Sequence, residues 1–280
     1  MKAISYSLFG YNKARAENCF DFNSYMRGFM MNVRMNRLIY PSWVNVLHTD
    51  MPTYQAFLDF FVELKQKGVI IIVCDEAPLC KAMLWRLKPA FEAHLYSHVI
   101  CRDLDSPATY REAQAVSYWM SKDKAMHAIT DSVSHNIPLM GGMIGMIPMY
   151  FTQRVGVPSW DVMMSMGNDI DFNQKGSDQT FLNRYIYPCF ANQGTDSITQ
   201  HYVLGHGNTW LSDYHNHIQD IQIDIPETLK ESNAVCGHIG SSGHYSTVMD
   251  KFIGKHKHLF VDLIEIEKKH PNIFLWVNEG

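Results

Sequence analysis

The chain has no run of about 18 apolar residues, the length at which a helix crosses a bilayer, so no membrane span is expected. It has no N-x-[ST] sequon, which fits a protein kept out of the secretory lumen. It has no C-x-x-C pair: its cysteines, at 19, 74, 80, 101, 189 and 236, are scattered. That pattern excludes a redox dithiol and reads as reduced thiols in a cytoplasmic protein. Basic residues do not outnumber acidic ones (24 against 28, net charge −4), so no positive field gathers nucleic acid. Internal repeats and low-complexity linkers are also missing, so the 280 residues read as one large domain. The first ten residues are too short for a signal peptide and lack its cleavage pattern; they read as a first strand.

What is present is alternation. Strand-like runs at 2–8, 43–48, 69–74 and 99–102 are interleaved with helix-like segments at 22–38, 52–67, 79–87 and 107–121. This predicts a mainly parallel sheet flanked by helices. The β-branched run 69–74 is expected to be buried on both faces. Ser106 is the expected N-cap of the helix opening at Pro107. The second half is less regular and ends in an amphipathic segment, 246–270, expected to be helical.

The acidic pair Asp103 and Asp105, in C-R-D-L-D-S, follows a strand-like run. Two carboxylates one residue apart in a turn can share a divalent cation, and a cation there suits a diphosphate. The plain alternative is that Asp105 and Ser106 cap a helix. Asp75 and Phe9-Gly10 also sit at carboxyl ends of strands, where ligands of open α/β sheets bind. Gly141, Gly142 and Gly145, in L-M-G-G-M-I-G-M, allow close backbone approach, either to a ligand or to a tightly packed bend. His127, Asp131 and His135 precede them; Asp131 and His135 share a face if the segment is helical, either for chemistry or as a structural hydrogen bond. Asp178 and Gln179 open a helix in G-S-D-Q-T-F-L-N, where a carboxylate and an amide can take a proton and orient a hydroxyl, or simply cap. His238 and His244 lie in a glycine-rich loop and could complete a metal shell. His215 and His217 have zinc-pair spacing but no third ligand. Arg86 is a fixed cation for phosphate or carboxylate. Arg102 flanks the acidic pair and is expected to lie near it, neutralising one of its members.

Taken in order, R-D-L-D-S, Arg111-Glu112, H-A-I-T-D-S-V-S-H, G-G-M-I-G and G-S-D-Q-T-F-L-N resemble a family of GT-A glycosyltransferases found in bacteria and in large DNA viruses of algae. The resemblance runs from residue 1 to about 245, and G-x-D-Q-x-x-L-N is also similar to the D-Q-D-x-x-N element of glycogenin-like transferases. It implies a GT-A, Rossmann-like α/β fold with an irregular C-terminal acceptor region: a nucleotide-binding half at 1–135 and an acceptor half at 136–280. It implies a UDP-sugar donor, Mn²⁺ or Mg²⁺ on Asp103 and Asp105, and a glycan or glycoprotein acceptor. Ser7, Leu8, Phe9 and Gly10 would hold the nucleotide, Gly141, Gly142 and Met143 would line the sugar, and His238 or His244 would take the late metal-ligand role. Related sequences read R-D-H-x-x-H where this chain has T-D-S-V-S-H, so Asp131 stands behind Asp178 as the expected base. Among viral members the resemblance points to a xylosyltransferase of capsid-glycan synthesis. A phosphohydrolase or nucleotidyltransferase using the same acids, and a sugar-binding module, remain open alternatives.

Overall fold

The computed structural model describes residues 1–11, 19–106, 108, 110–122, 124–130, 137–191 and 199–203. In chain order the elements are β1 (Lys2–Leu8), α1 (Cys19–Ile39), β2 (Trp43–Asp50), α2 (Met51–Ala56), α3 (Leu58–Gln66), β3 (Ile70–Cys74) and α4 (Leu79–Met83). A 3-10 helix (Leu84–Phe91) leads to β4 (His98–Arg102), α5 (Tyr110–Met120), β5 (Met126–Thr130) and β6 (Met143–Met146). α6 (Pro148–Val155), α7 (Trp160–Ser165), α8 (Ser177–Phe181), a π-helical turn (Leu182–Ile186), α9 (Tyr187–Phe190) and β7 (Thr199–Val203) follow. The expected final helix, 246–270, lies outside the described residues.

Among the described residues the strands form one seven-stranded sheet in the order β3-β2-β1-β4-β6-β5-β7. β6 runs antiparallel to β4 and β5, while the other pairings are parallel. The α/β class with a mainly parallel sheet is therefore as expected. Alternation along each strand divides the core between the two faces. Ile4, Tyr6, Leu8 and Ile100 join one cluster with Met26, Phe29 and Val33 of α1 and Trp119 of α5. Ala3, Val99 and Cys101 join the other, with Trp85 and Leu87 of the 3-10 helix and Phe151 of α6.

Several expectations are corrected. Among the described residues β3 is an edge strand with β2 as its neighbour, and Val73 is 39% exposed; a β-branched run reads alike at the edge and in the centre of a sheet. The 52–67 helix is two helices. Phe57 (φ −127°, ψ 40°) leaves helical geometry between them and sets its ring edge-on to Tyr11 at 4.7 Å. The 79–87 helix tightens into 3-10 geometry at Leu84 and runs to Phe91, across Pro89, which has no N–H for an α-helical bond. α5 begins at Tyr110, so Ser106 is not its cap. Residues 126–130 are strand and place His127 in β5, while the segment that carries Asp131 and His135 lies outside the described residues. His127 is fully buried, its ring 4.5 Å from that of Trp119, and a β-carbon on Gly145 would lie 2.4 Å from its Nε2. His127 and Gly145 are packing partners.

Candidate active site

The site is built where β4 ends and β6 begins. Their antiparallel register sets Arg102 opposite Met143, which brings Gly141 and Gly142 beside the turn carrying Asp103 and Asp105. Asp103 is paired with Arg86 of the 3-10 helix, whose Nη1 donates to the Asp103 carboxylate. Gly141 and Gly142 lie directly against this pair. A β-carbon on Gly141 would sit 2.8 Å from Arg86 Nη2, and one on Gly142 would sit 1.9 Å from Asp103 Oδ2. The close approach that the glycines permit is thus to an ion pair of the protein itself. Met143 is 1% exposed and its side chain belongs to the core.

α1 holds the same turn from the other side. Asn32, fully buried, donates from Nδ2 to Leu104 O at 3.0 Å and accepts at Oδ1 from Ala108 N at 3.1 Å. One helical turn earlier, a β-carbon on Gly28 would meet Leu104 O at 2.3 Å. Glycine inside a helix costs about 1 kcal/mol relative to alanine, and the contact with the turn accounts for it here. One turn later, Asn36 donates to Tyr6 Oη at 2.8 Å and to Asn45 Oδ1 at 2.6 Å. The reading of the sequence missed this Gly28–Asn32–Asn36 stripe. The signal was there: two amides and a glycine spaced by four in a methionine-rich helix.

Asp178 stands in the first turn of α8 and is 4% exposed. Gly176, two residues earlier, takes the cap position at φ 84°, so Asp178 is not the cap. Burial pushes its carboxyl upward, while Arg86 and the main-chain N–H of Gln179 pull it down and Asp103 adds to the rise. Asp105 is pushed up to about 7, first by burial and then by the Asp103 charge, against a main-chain bond and Arg86. For Arg86, burial opposes the charge, but Asp103, with Asp178 beyond it, turns the net shift upward. One guanidinium therefore sits in the field of Asp103, Asp105 and Asp178. The structure brings these four residues together.

Arg102 is not among them. Its Nε donates to Glu112 Oε1 at 2.7 Å, Tyr40 Oη donates to the same oxygen at 2.8 Å, and Nη1 reaches Ile144 O at 2.9 Å. Both side chains are 2% exposed. The expectation that Arg102 neutralises an aspartate of the turn is corrected: its charge is spent inside the core, tying α5 to β4.

At the end of β1, Gly10 (φ 84°) donates its N–H to Asp50 Oδ2 at 2.8 Å, and Asp50 Oδ1 caps α2 by accepting from Thr53 N at 2.8 Å. Leu8 and Phe9 are 2% and 8% exposed, Phe9 edge-on to Trp85 at 5.4 Å, so their side chains are core. The Ser7 hydroxyl donates to Met83 O at 3.4 Å. Asp75 is exposed at the end of the edge strand, three strands from Asp103, or about 14 Å at the usual inter-strand spacing. It belongs to the same rim but not to the cluster. Gln179 is half-buried, and its carbonyl accepts from Asn183 Nδ2 at 2.8 Å. Asn183 also holds Leu139 through both main-chain groups, at 2.9 and 2.8 Å, and so anchors the approach to the glycine pair. Asp131, His135, His215, His217, His238 and His244 lie outside the described residues.

Among the described residues no three His, Cys, Asp or Glu side chains group as a metal site. Asp103 and Asp105, one residue apart in the turn, supply two hard oxygen donors of the kind that Mn²⁺ and Mg²⁺ take. The donor set therefore fits Mn²⁺ or Mg²⁺ with further oxygens supplied from elsewhere.

No family model matches the chain, and no curated protein matches it. Solved structures similar in part include the glycosyltransferase GlyE of Streptococcus pneumoniae, at 12% identity over 66% of this chain and TM-score 0.42. The chain spans 43% of that protein's length. The mannosyltransferase PcManGT of Pyrobaculum calidifontis, in complex with GDP-Man and Mn²⁺, is 10% identical over 66% of this chain and 51% of its own, at TM-score 0.40. Mouse xyloside xylosyltransferase 1 is 11% identical over 76% of this chain and 89% of its own, at TM-score 0.35.

Proposed function

We propose that the protein transfers a sugar from a nucleotide-sugar donor to a hydroxyl of a glycan acceptor, with a divalent cation on Asp103 and Asp105. The observation that carries this is the convergence of Asp103, Asp105 and the buried Asp178 on Arg86 at the carboxyl edge of the sheet. That cluster pairs a cation-seeking turn with a separate carboxylate of raised proton affinity. A cation bound there supplies Lewis acidity to the charge that develops on a departing diphosphate.

The chain's own residues do the rest. Asp178 accepts the proton of the acceptor hydroxyl as its oxygen bonds to the anomeric carbon and the bond to the phosphate oxygen breaks. Its raised proton affinity brings it closer to neutral pH, where a base works best. Arg86 pairs with Asp103 and draws the Asp178 carboxyl down against its burial. Gln179 orients the hydroxyl, and main-chain groups at 7–10, with Asp75 beyond, receive the nucleotide. Inversion, with Asp178 as the single base, is the preferred outcome. UDP-xylose is the preferred donor and a glycan or glycoprotein the preferred acceptor. His238 or His244 would complete the cation's shell, with Asp131 as reserve base. The chain then works as one domain, with its nucleotide half at 1–135 and its acceptor half at 136–280.

Incubation with a panel of UDP- and GDP-sugars and Mn²⁺ tests this. Slow hydrolysis of one donor to free sugar and nucleoside diphosphate, abolished by EDTA and by Asp105→Ala, is the expected result. Release of inorganic phosphate or of a nucleoside monophosphate would assign the acids to a hydrolase or nucleotidyltransferase. Sugar binding that survives Asp105→Ala and Asp178→Ala, without turnover, would mark a binding module.

A further inference from the structure

Asn32 and Gly28 of α1 touch the acidic turn without being acids themselves. We propose that Asn32 is a positioning residue for the two cation-binding carboxylates, with Gly28 as its steric partner; this rests on the metal reading above. Its amide is bonded at both ends, to a carbonyl before Asp105 (Leu104 O, 3.0 Å) and to an N–H after it (Ala108 N, 3.1 Å). A weaker 3.5 Å contact reaches Asp103 O. Gly28 lets the helix close on the same peptide, where a β-carbon would be 2.3 Å from Leu104 O and 2.9 Å from Asp105 Cα. The main chain on either side of Asp105 is thus fixed by α1, and the direction of its carboxylate follows from that frame. One side chain must both donate and accept here. A carboxylate would set a second acceptor against the Leu104 carbonyl, and leucine would leave both groups unpaired in the interior.

α1 and the 3-10 helix that carries Arg86 pack on opposite faces of the sheet. The acidic turn is therefore clamped between two supports, one electrostatic and one made of main-chain hydrogen bonds. Loss of the second would leave Asp103 still paired but Asp105 free to rotate away from a shared cation.

The test uses the full chain, with Mn²⁺ alone as the probe. Asn32→Leu removes both hydrogen bonds at nearly constant volume. Gly28→Ala suits a helix better but intrudes on Leu104, and it decides the matter if Asn32→Leu does not fold. Mn²⁺ affinity is measured by electron paramagnetic resonance titration, and exchange of the 103–108 amides by NMR. In both variants, Mn²⁺ affinity is expected to fall at least about fivefold and Ala108 exchange to quicken at least about tenfold, with unchanged circular dichroism. Quickened exchange with unchanged Mn²⁺ affinity would overturn the positioning role and leave the metal reading standing. An unaltered protein that protects Ala108 but binds no Mn²⁺ would sink the metal reading, and this inference with it.

Discussion

Gly142 is packed so tightly against Asp103 that a β-carbon would lie 1.9 Å from the carboxylate oxygen Oδ2. The carboxylate is also paired with Arg86; the Asp103 side chain is 38% exposed and that of Arg86 6%, so swinging the carboxylate away would take a partner from the buried guanidinium. Gly142→Ala is therefore expected to displace Asp103, destabilise the fold by about 1–3 kcal/mol and lower Mn²⁺ affinity. Denaturant unfolding beside Mn²⁺ titration checks it; an alanine variant equal to the parent in both would show that the turn relaxes freely.

Asp105 gives a pH signature. Its folded carboxyl titrates at about 7, above the 3.8 of an ordinary aspartate, chiefly because it is buried. Between those values the folded state holds the proton more tightly than the unfolded one, so the stabilising contribution is full below about pH 4 and is lost as pH rises toward 7. Without metal, Asp105→Asn should stabilise the protein at pH 8 by roughly 1–3 kcal/mol, with the gain vanishing near pH 4. With Mn²⁺ the order reverses, because the asparagine loses the ligand. Thermal unfolding from pH 4 to 8, with and without Mn²⁺, reads both signs.

Arg86 pulls the Asp178 carboxyl down against burial. Arg86→Met removes that pull, so the ionised base should appear only at higher pH. The acid limb of kcat/KM is expected to move to higher pH. A limb that stays put while the rate falls would show that Asp178 is not the titrating base.

The buried Arg102–Glu112 pair makes a prediction about stability alone. Glu112→Ala strands the Arg102 guanidinium at 2% exposure and should cost about 3–5 kcal/mol. Arg102→Met combined with Glu112→Leu should recover most of that loss, as measured by urea denaturation. A double variant as unstable as the single one would mean that the pair's hydrogen bonds to Ile144 and Tyr40 matter more than its charge balance.

Much of the frame is legible in the chain because strand alternation and helix punctuation are local. β1, β2 and β4 fall where apolar runs end in Asp or Gly, and the acidic pair sits at a strand end as expected. What is not local is not legible. Ile70–Cys74 looks the same whether it has one neighbour or two, so its place at the sheet edge is hidden. Arg102 flanks Asp103 in sequence, yet the side chain of a strand residue points to the opposite face from its neighbour's, and Glu112 lies on that face. Asp178 and Asp103 both act on the charge of Arg86, at a junction between a 3-10 helix, a turn and a short α-helix distant in sequence. Asn32 carries no charge and belongs to no motif, so only its surroundings reveal what it holds.

The reversed strand β6 acts as a proofreader for the fold. Because it returns against β4, the exit of one and the entry of the other share a rim, with Arg102 matched to Met143. Sliding that match by two residues would carry Gly142 about 7 Å along the strand axis and bring a bulkier neighbour to a place that tolerates no carbon. A misphased ladder would have to displace the Asp103 carboxylate, and the correct phase is favoured by that difference.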